Sequence, residues 1–229
     1  MNIKILTLVS VSMLATGCAT TYQANEVDAS GFLGQGYSRL KEGKSDQALL
    51  VYHHPEINKI CKNYTKVMIE PISLWVKDEA NIADLSVEER QHLTNYLYQS
   101  IKKSLGSDYQ IVNQAGPDVL RIRGAITEAD GSWVVLDTLT SIHPGTVVMS
   151  RIKQMGFGSG SFVSETAVEF SIEDSVTRRP FFMGVDKRAG GKNWVKKFDS
   201  WGKVEASYDY WTDKLKTRMA ECRAGKLEI

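Results

Sequence analysis

Along the chain, apolar and polar positions switch between a period of two and a period near four, and the switches separate strands from helices. Val67, Met68 and Ile69 sit in an apolar run over Thr65 to Ile72. The run reads as a strand that stops at Pro71, because proline donates no ladder hydrogen bond, and Trp75 and Val76 can continue it. Ser86-Val87-Glu88-Glu89 has capping-box spacing: the Ser86 hydroxyl can accept from the Glu89 amide while the Glu89 carboxylate reaches back. A helix is predicted from there to Leu105, since Leu93, Leu97, Ile101 and Leu105 recur every four residues and Gly106 suits a helix end.

Beyond that helix the period returns to two. Tyr109 to Val112 predicts a short strand, and the Gly116-Pro117-Asp118 turn leads into a longer one, Val119 to Thr127. There Leu120, Ile122 and Ile126 alternate with Arg121, Arg123 and Thr127, the pattern of a strand with one buried and one wet face. Val163 to Asp174 repeats it, with Val168, Phe170 and Ile172 opposite Glu169, Ser171 and Glu173. If the two strands are neighbours, Arg meets Glu on the wet face, and such pairs contribute about 0.2 to 1 kcal/mol each. An anion site at Arg121 and Arg123 is the functional alternative. Thr177 to Pro180 turns the chain into a further strand, Phe181 to Asp186.

A last helix is predicted from about Asp199 to Cys222, with Trp201, Val204, Tyr208, Trp211, Leu215 and Met219 three or four apart. At 1.5 Å per residue it is about 36 Å long, enough to cross a sheet. Its aromatic stripe reads as buried against that sheet, with a partner groove or a membrane-resting face as the alternatives. The elements together predict one α/β (α+β) two-layer sandwich: a mixed, mainly antiparallel sheet with the Ser86 and Asp199 helices on one face.

The amino terminus carries a different kind of signal. Lys4 gives a positive start, Ile5 to Leu14 form a short apolar stretch, and Ala15-Thr16-Gly17-Cys18 follows. That stretch is too short to span a bilayer, which takes about 20 residues. Residues Met1 to Cys18 resemble a bacterial lipoprotein signal, although Ala15 stands where leucine is commoner. The resemblance implies cleavage before Cys18, diacylglyceryl transfer to its sulfur and acylation of the new amino terminus. A cleaved ordinary signal peptide and an uncleaved anchor helix are the plainer readings. Ala19 after the cysteine implies sorting to the outer membrane. The layout expected is a signal peptide over 1–17, a lipidated cysteine and flexible tether over 18–36, and a single domain over 37–229, with Phe32, Leu33, Tyr37 and Leu40 docking the end of the tether on the domain as an irregular arm.

Removing residues 1–17 leaves 27 basic and 27 acidic side chains, interleaved along the chain. Nucleic-acid proteins concentrate basic charge on a face or stripe, so the expected partners are the membrane, through the lipid anchor, and an envelope protein, but no nucleic acid. Cys61 and Cys222 are the remaining cysteines. In an oxidising periplasm an even pair reads as a disulfide, with two separate buried thiols as the alternative.

Candidate chemistry is sparse. His53 and His54 are adjacent before Pro55 and point apart in extended chain, with no HExxH or carboxylate cluster beside them. His92 and His143 could each serve a serine nucleophile, but no GxSxG elbow is present. Trp133 to Leu139 is apolar, His143-Pro144-Gly145 reads as a turn, and Met155 to Ser161 is glycine-rich without Walker or dinucleotide spacing. No residues are assigned to catalysis, to a cofactor or to a metal.

Dispersed motifs carry a wider resemblance. Tyr37-Ser38-Arg39-Leu40, Ile69-Glu70-Pro71, Leu85-Ser86 with Glu88-Glu89, Pro117 to Arg123 with Ala125-Ile126-Thr127, and Val168-Glu169 with Asp174 and Thr177 resemble the bacterial domain-of-unknown-function 3313 lipoproteins. The family brings no activity and no catalytic residues to this sequence. The function expected is therefore that of a non-enzymatic accessory or protein-interaction domain, lipid-anchored at the outer membrane and facing the periplasm. A periplasmic small-ligand or lipid-binding domain, which needs an apolar pocket between sheet and helices, and an envelope hydrolase are the alternatives.

Overall fold

The computed structural model describes residues 21–76, 85–130, 165–190 and 201–228. Cys18, the apolar run Trp133 to Leu139, the His143 turn and the Met155 to Ser161 loop lie outside them. The described strands are β1 (Thr21–Gln23), β2 (Lys41–Glu42), β3 (Leu50–His53), β4 (Lys66–Ile69), β5 (Ser73–Leu74), β6 (Gln110–Ile111), β7 (Val119–Asp130), β8 (Glu165–Asp174) and β9 (Pro180–Gly190). The helices are α1 (Ile57–Ile60), α2 (Val87–Leu105) and α3 (Gly202–Ala224), with 3₁₀ turns over Gly34–Arg39 and Cys61–Asn63.

All nine strands form one open sheet in the order β2-β3-β9-β8-β7-β4-β6, with β1 also on β9 and β5 also on β7. β4 runs parallel to β6 and β7, and β5 parallel to β7. The other pairings are antiparallel. The fold is thus α+β with a mixed, mostly antiparallel sheet, and α2 and α3 pack together on one face. The Ser86 capping box forms as read: Ser86 Oγ accepts from the Glu89 amide at 3.2 Å and the Ser86 amide donates to Glu89 Oε2 at 2.9 Å. Leu93, Leu97, Ile101 and Leu105 are buried, packed in one core with Leu120, Ile122, Ile126 and Val168. Gly225, at φ 72°, ends α3 in the left-handed conformation that glycine adopts without strain.

Cys61 and Cys222 form a disulfide with their Cα atoms 5.6 Å apart, a separation usual for such a bridge. It joins the turn after α1 to the last turn of α3 across 161 residues. Closing a loop that long contributes up to about 5 kcal/mol in the chain-entropy picture. Asn58 reinforces the junction by exchanging two hydrogen bonds with the backbone of Leu227, both at 2.9 Å.

Two expectations need correction. Alternation along β7 and β8 predicts a wet face bearing Glu169, Ser171 and Glu173, yet these are 0%, 3% and 5% exposed. The cover is the amino-terminal arm: Phe32 and Tyr37 dock as expected, and the stretch before them, expected to be a loose tether, docks as well. From Thr21 onward it lies on the sheet, beginning with β1 paired to β9. The Ser30 amide donates to Glu169 Oε1 at 2.7 Å, and the Tyr37 hydroxyl donates to Oε2. Phe32 lies against the Arg123 guanidinium at 4.9 Å. Gly36 rests on Met183, where an added Cβ would come within 2.7 Å of the sulfur. The physical reason is the carboxylate itself: a buried charge needs hydrogen-bond donors, and the arm supplies them.

Tyr37→Phe removes one of the two donors to Glu169 and is expected to lower stability by about 1 to 3 kcal/mol. Hydrogen exchange should show faster exchange at the amides of residues 30–40. Unchanged protection there would mean that the arm is held by something else.

Candidate functional site

A row of three residues sets the floor of a concavity between the sheet and α3. In the register of the three long strands, Phe170 of β8 lies opposite Gly124 of β7 and Gly184 of β9. A Cβ on Gly184 would meet the tip of the Phe170 ring at 2.6 Å, and one on Gly124 would meet Ile72 Cδ1 at 3.0 Å. The missing side chains let the Phe170 ring lean over Gly184 and Ile72 settle over Gly124. Phe170 stacks on Phe182 with centroids 5.3 Å apart, and His53 packs edge-on against Phe182 at 4.7 Å.

Trp211, Leu215 and Met219 of α3 roof this floor, enclosing a cavity of about 140 Å³. Phe170, Phe182, Trp211 and Leu215 are only half-buried despite packing against the core, because they face the cavity. Its outer end is formed by Asp46, Gln47 and Ala48, between β2 and β3, and by Tyr210, Lys214 and Arg218 of α3. Arg218 fastens this rim by pairing with Asp46, and it also pairs with Glu221 at 3.1 Å.

Asp186, 2% exposed, stands in the wall. Outside β9, the edge is shared: β3 pairs up to Val185 and β1 begins at Arg188. Asp186 sits in the break between them. Its Oδ1 accepts from Gln23 Nε2 at 2.7 Å and from the Leu49 amide at 3.2 Å, and its Oδ2 accepts from Trp211 Nε1 at 2.7 Å. Nearby, Arg188 donates to the hydroxyl and carbonyl of Thr21 at 2.9 and 2.8 Å and lies 3.5 Å over the Tyr210 ring. One buried acid and one buried base therefore fix β1, the β2–β3 turn and α3 around the cavity.

The sequence matches the family described as protein of unknown function (DUF3313) over residues 28–215, most of this architecture. The chain belongs to the DUF3313 family. No curated protein matches it. Among solved structures it is similar to a PelC dodecamer from Paraburkholderia phytofirmans, at 13% identity and a TM-score of 0.35, covering 72% of this chain and 94% of that one. A minor lipoprotein from Acinetobacter baumannii matches at 14% identity and a TM-score of 0.35, covering 72% and 96%. A DUF4136 family protein from Bacteroides thetaiotaomicron matches at 10% and 0.36, covering 74% and 94%.

In this DUF3313 protein the residues singled out from sequence are dispersed. His54 Nδ1 accepts from the Glu56 amide at 3.2 Å and its ring faces Phe181. His92 bridges α2 to α3 through Glu205 at 2.8 Å. His143 lies outside the described residues. Arg121 lies opposite Glu173 and pairs with it and with Glu70, so the cross-strand pairing forms there. Arg123 instead faces Ser171 and reaches Glu70 at 3.7 Å. Both arginines are thus engaged by carboxylates. Among the described residues, no three His, Cys, Asp or Glu side chains are grouped to hold a metal ion.

Phe170, Trp211, Leu215 and Met219 read from the sequence as buried positions; that they line a cavity escaped the reading, although one signal for it was present. A glycine inside a strand marks a close approach, and both Gly124 and Gly184 interrupt apolar strands. The Cys61–Cys222 bridge lines the cavity, and of the candidate histidines in the described residues, His53 reaches it as well. Burial pushes its pKa down to about 4, and the charges of Arg218 and Lys44 push the same way, so it is neutral at pH 7.

The unfolded chain protonates His53 near pH 6.5, whereas the folded protein resists to about pH 4. In that window the unfolded state binds more protons, and the linked stability falls as pH drops. Above it His53 contributes no slope. Urea midpoints measured across the window should decline less for His53→Gln than for the parent, and parallel declines would assign the slope to other groups.

Proposed function

We propose that this chain is a non-enzymatic binding lipoprotein of the outer membrane, anchored through Cys18 and facing the periplasm, whose domain receives an apolar group beneath α3. The cavity carries this reading. It lies between sheet and helix, where a small-ligand or lipid-binding domain needs one, and its floor and roof are aromatic and aliphatic. At about 140 Å³ it is close to the roughly 150 Å³ apolar cavity that stays dry and takes up benzene in an engineered protein. Among the described residues, no helix is long and apolar enough to cross a membrane. Membrane attachment in this reading falls to the acyl chains on Cys18, since stable anchoring takes at least two membrane signals.

The full chain carrying Cys18→Ser, expressed with its signal peptide, is expected in the soluble fraction. There, benzene should raise its Tm by mass action on the folded state. Leu215→Phe, which adds a ring at the roof, should abolish that rise. A Cys18→Ser protein that stays in membranes would overturn the anchor, and a Tm indifferent to benzene would overturn the cavity as a binding site.

A second reading, attachment to an envelope protein partner, is favoured by a separate patch. Trp75 and Val87 are 47% and 73% exposed, and with Leu74, Val76 and Thr94 they line a shallow groove beside α2. Large apolar side chains grouped on a surface mark interaction sites more often than isolated ones do. A photocrosslinker at Val87 in native membranes should give one discrete adduct that Trp75→Ala removes. A smear insensitive to Trp75 would leave the patch without a partner.

A further inference from the structure

The way the charged groups of the cavity rim are paired bears on what the cavity takes. Asp46, Lys214 and Arg218 line it, Glu221 adjoins it through Arg218, and Lys44 is near enough for its charge to act on His53. Both acids are bound to Arg218. The Lys214 ammonium lies 5.8 Å from the Tyr210 ring and pairs with no carboxylate among the described residues. Lys214 is therefore a rim cation with no carboxylate partner among the described residues, beside an apolar opening.

The interior has the opposite sign. Asp186 is the buried acid of the wall, and all three of its donors, Gln23, Leu49 and Trp211, are uncharged. An anion would be repelled from Asp186 and attracted at Lys214, so the two groups orient a polar ligand with its negative end outward. Inward of the rim, the aromatic floor offers no charged partner.

We infer that the cavity takes the tail of a single-chain anionic amphiphile, with its head beside Lys214 and about six alkyl carbons over Phe170 and Phe182, the carbon count of the benzene that a cavity of this size holds. This rests on the binding reading proposed above and adds the charge and direction of the ligand. Lys214 contributes a charge-assisted hydrogen bond to the head. Arg218 holds the Asp46 loop in place and keeps that carboxylate from competing for Lys214.

Three probes of six carbons each separate the terms: hexanoate, 1-hexanol and hexylammonium, titrated by NMR into the full chain carrying Cys18→Ser. Hexanoate should bind about tenfold more tightly than hexanol, the scale of one charge-assisted hydrogen bond, and hexylammonium most weakly. Lys214→Gln should erase the preference for hexanoate and leave hexanol unchanged. Added salt should narrow the preference, since the rim is exposed to solvent. Equal binding of hexanoate and hexanol, or an unaffected preference in Lys214→Gln, would overturn the head-group assignment while the cavity still binds. Tightest binding by hexylammonium would mean that Asp186 sets the polarity, reversing the ligand's direction. Failure of all three probes, with no response to benzene, would bring down the cavity reading itself.

Discussion

The rest of the structure depends on a conflict in β8. This strand is covered on both faces, by the helices on one and the amino-terminal arm on the other, yet its sequence alternates hydrophobic residues with Glu169, Ser171 and Glu173. A carboxylate removed from water without donors is strongly unfavourable, and Glu169 lies between Ala125 and Val185, neither of which can donate from its side chain. The donors come from the amino-terminal arm, through Ser30 and Tyr37. Glu173 is resolved differently, by Arg121 in the neighbouring strand and by Arg178 in the β8–β9 turn at 3.6 Å. The same sheet thus uses neutral donors at its centre and ion pairs towards its end. The arm is a structural part of the domain.

Asp186 imposes a related constraint on the helix-facing side. It occupies the one place along the outer edge of β9 where neither β3 nor β1 continues the ladder, and it converts that interruption into three hydrogen bonds. Two of them come from the arm and the β2–β3 turn, and the third comes from α3. Because Trp211 is held at the wall by its indole N–H, its ring cannot collapse onto Phe170. The cavity is therefore held open by polar anchoring above a floor on which Phe170 leans over Gly184. A core free to relax would shrink such a space, since closing it restores dispersion contacts.

What the sequence made legible follows from the range over which each pattern acts. The capping box at Ser86, the four-residue stripe of α2 and the alternation of β7 and β8 are local, and each element forms near its expected place. α3 and β9 differ by a few residues at their ends. The mixed sheet, its two helices on one face and the family resemblance were readable for the same reason. The covering of the polar face was not, because alternation distinguishes the two faces of a strand without saying what lies over either. β1 and β3 were missed since three or four residues carry too little period to register, and they exist through the edge that β9 offers. Of the cavity, only the glycines inside strands left a trace. Its rim comes from the β2–β3 turn and from α3, which are distant in sequence.

These constraints meet where the arm begins. β1 starts at Thr21, and Gln23 in that strand donates to the carbonyl of Gln47 at 2.8 Å as well as to Asp186. The strand that follows Cys18 therefore holds the rim loop directly. In the proposed lipoprotein, four residues lie between Cys18 and Gln23, at most about 18 Å of extended chain. The rim would lie within that reach of the bilayer surface, with no long tether to average its position. An amphiphile leaving or entering the membrane would meet the opening at a high local concentration, and an affinity that is weak in dilute solution would suffice there. Burying the arm on Glu169 and Asp186 and placing the cavity near the membrane are, on this view, consequences of one arrangement.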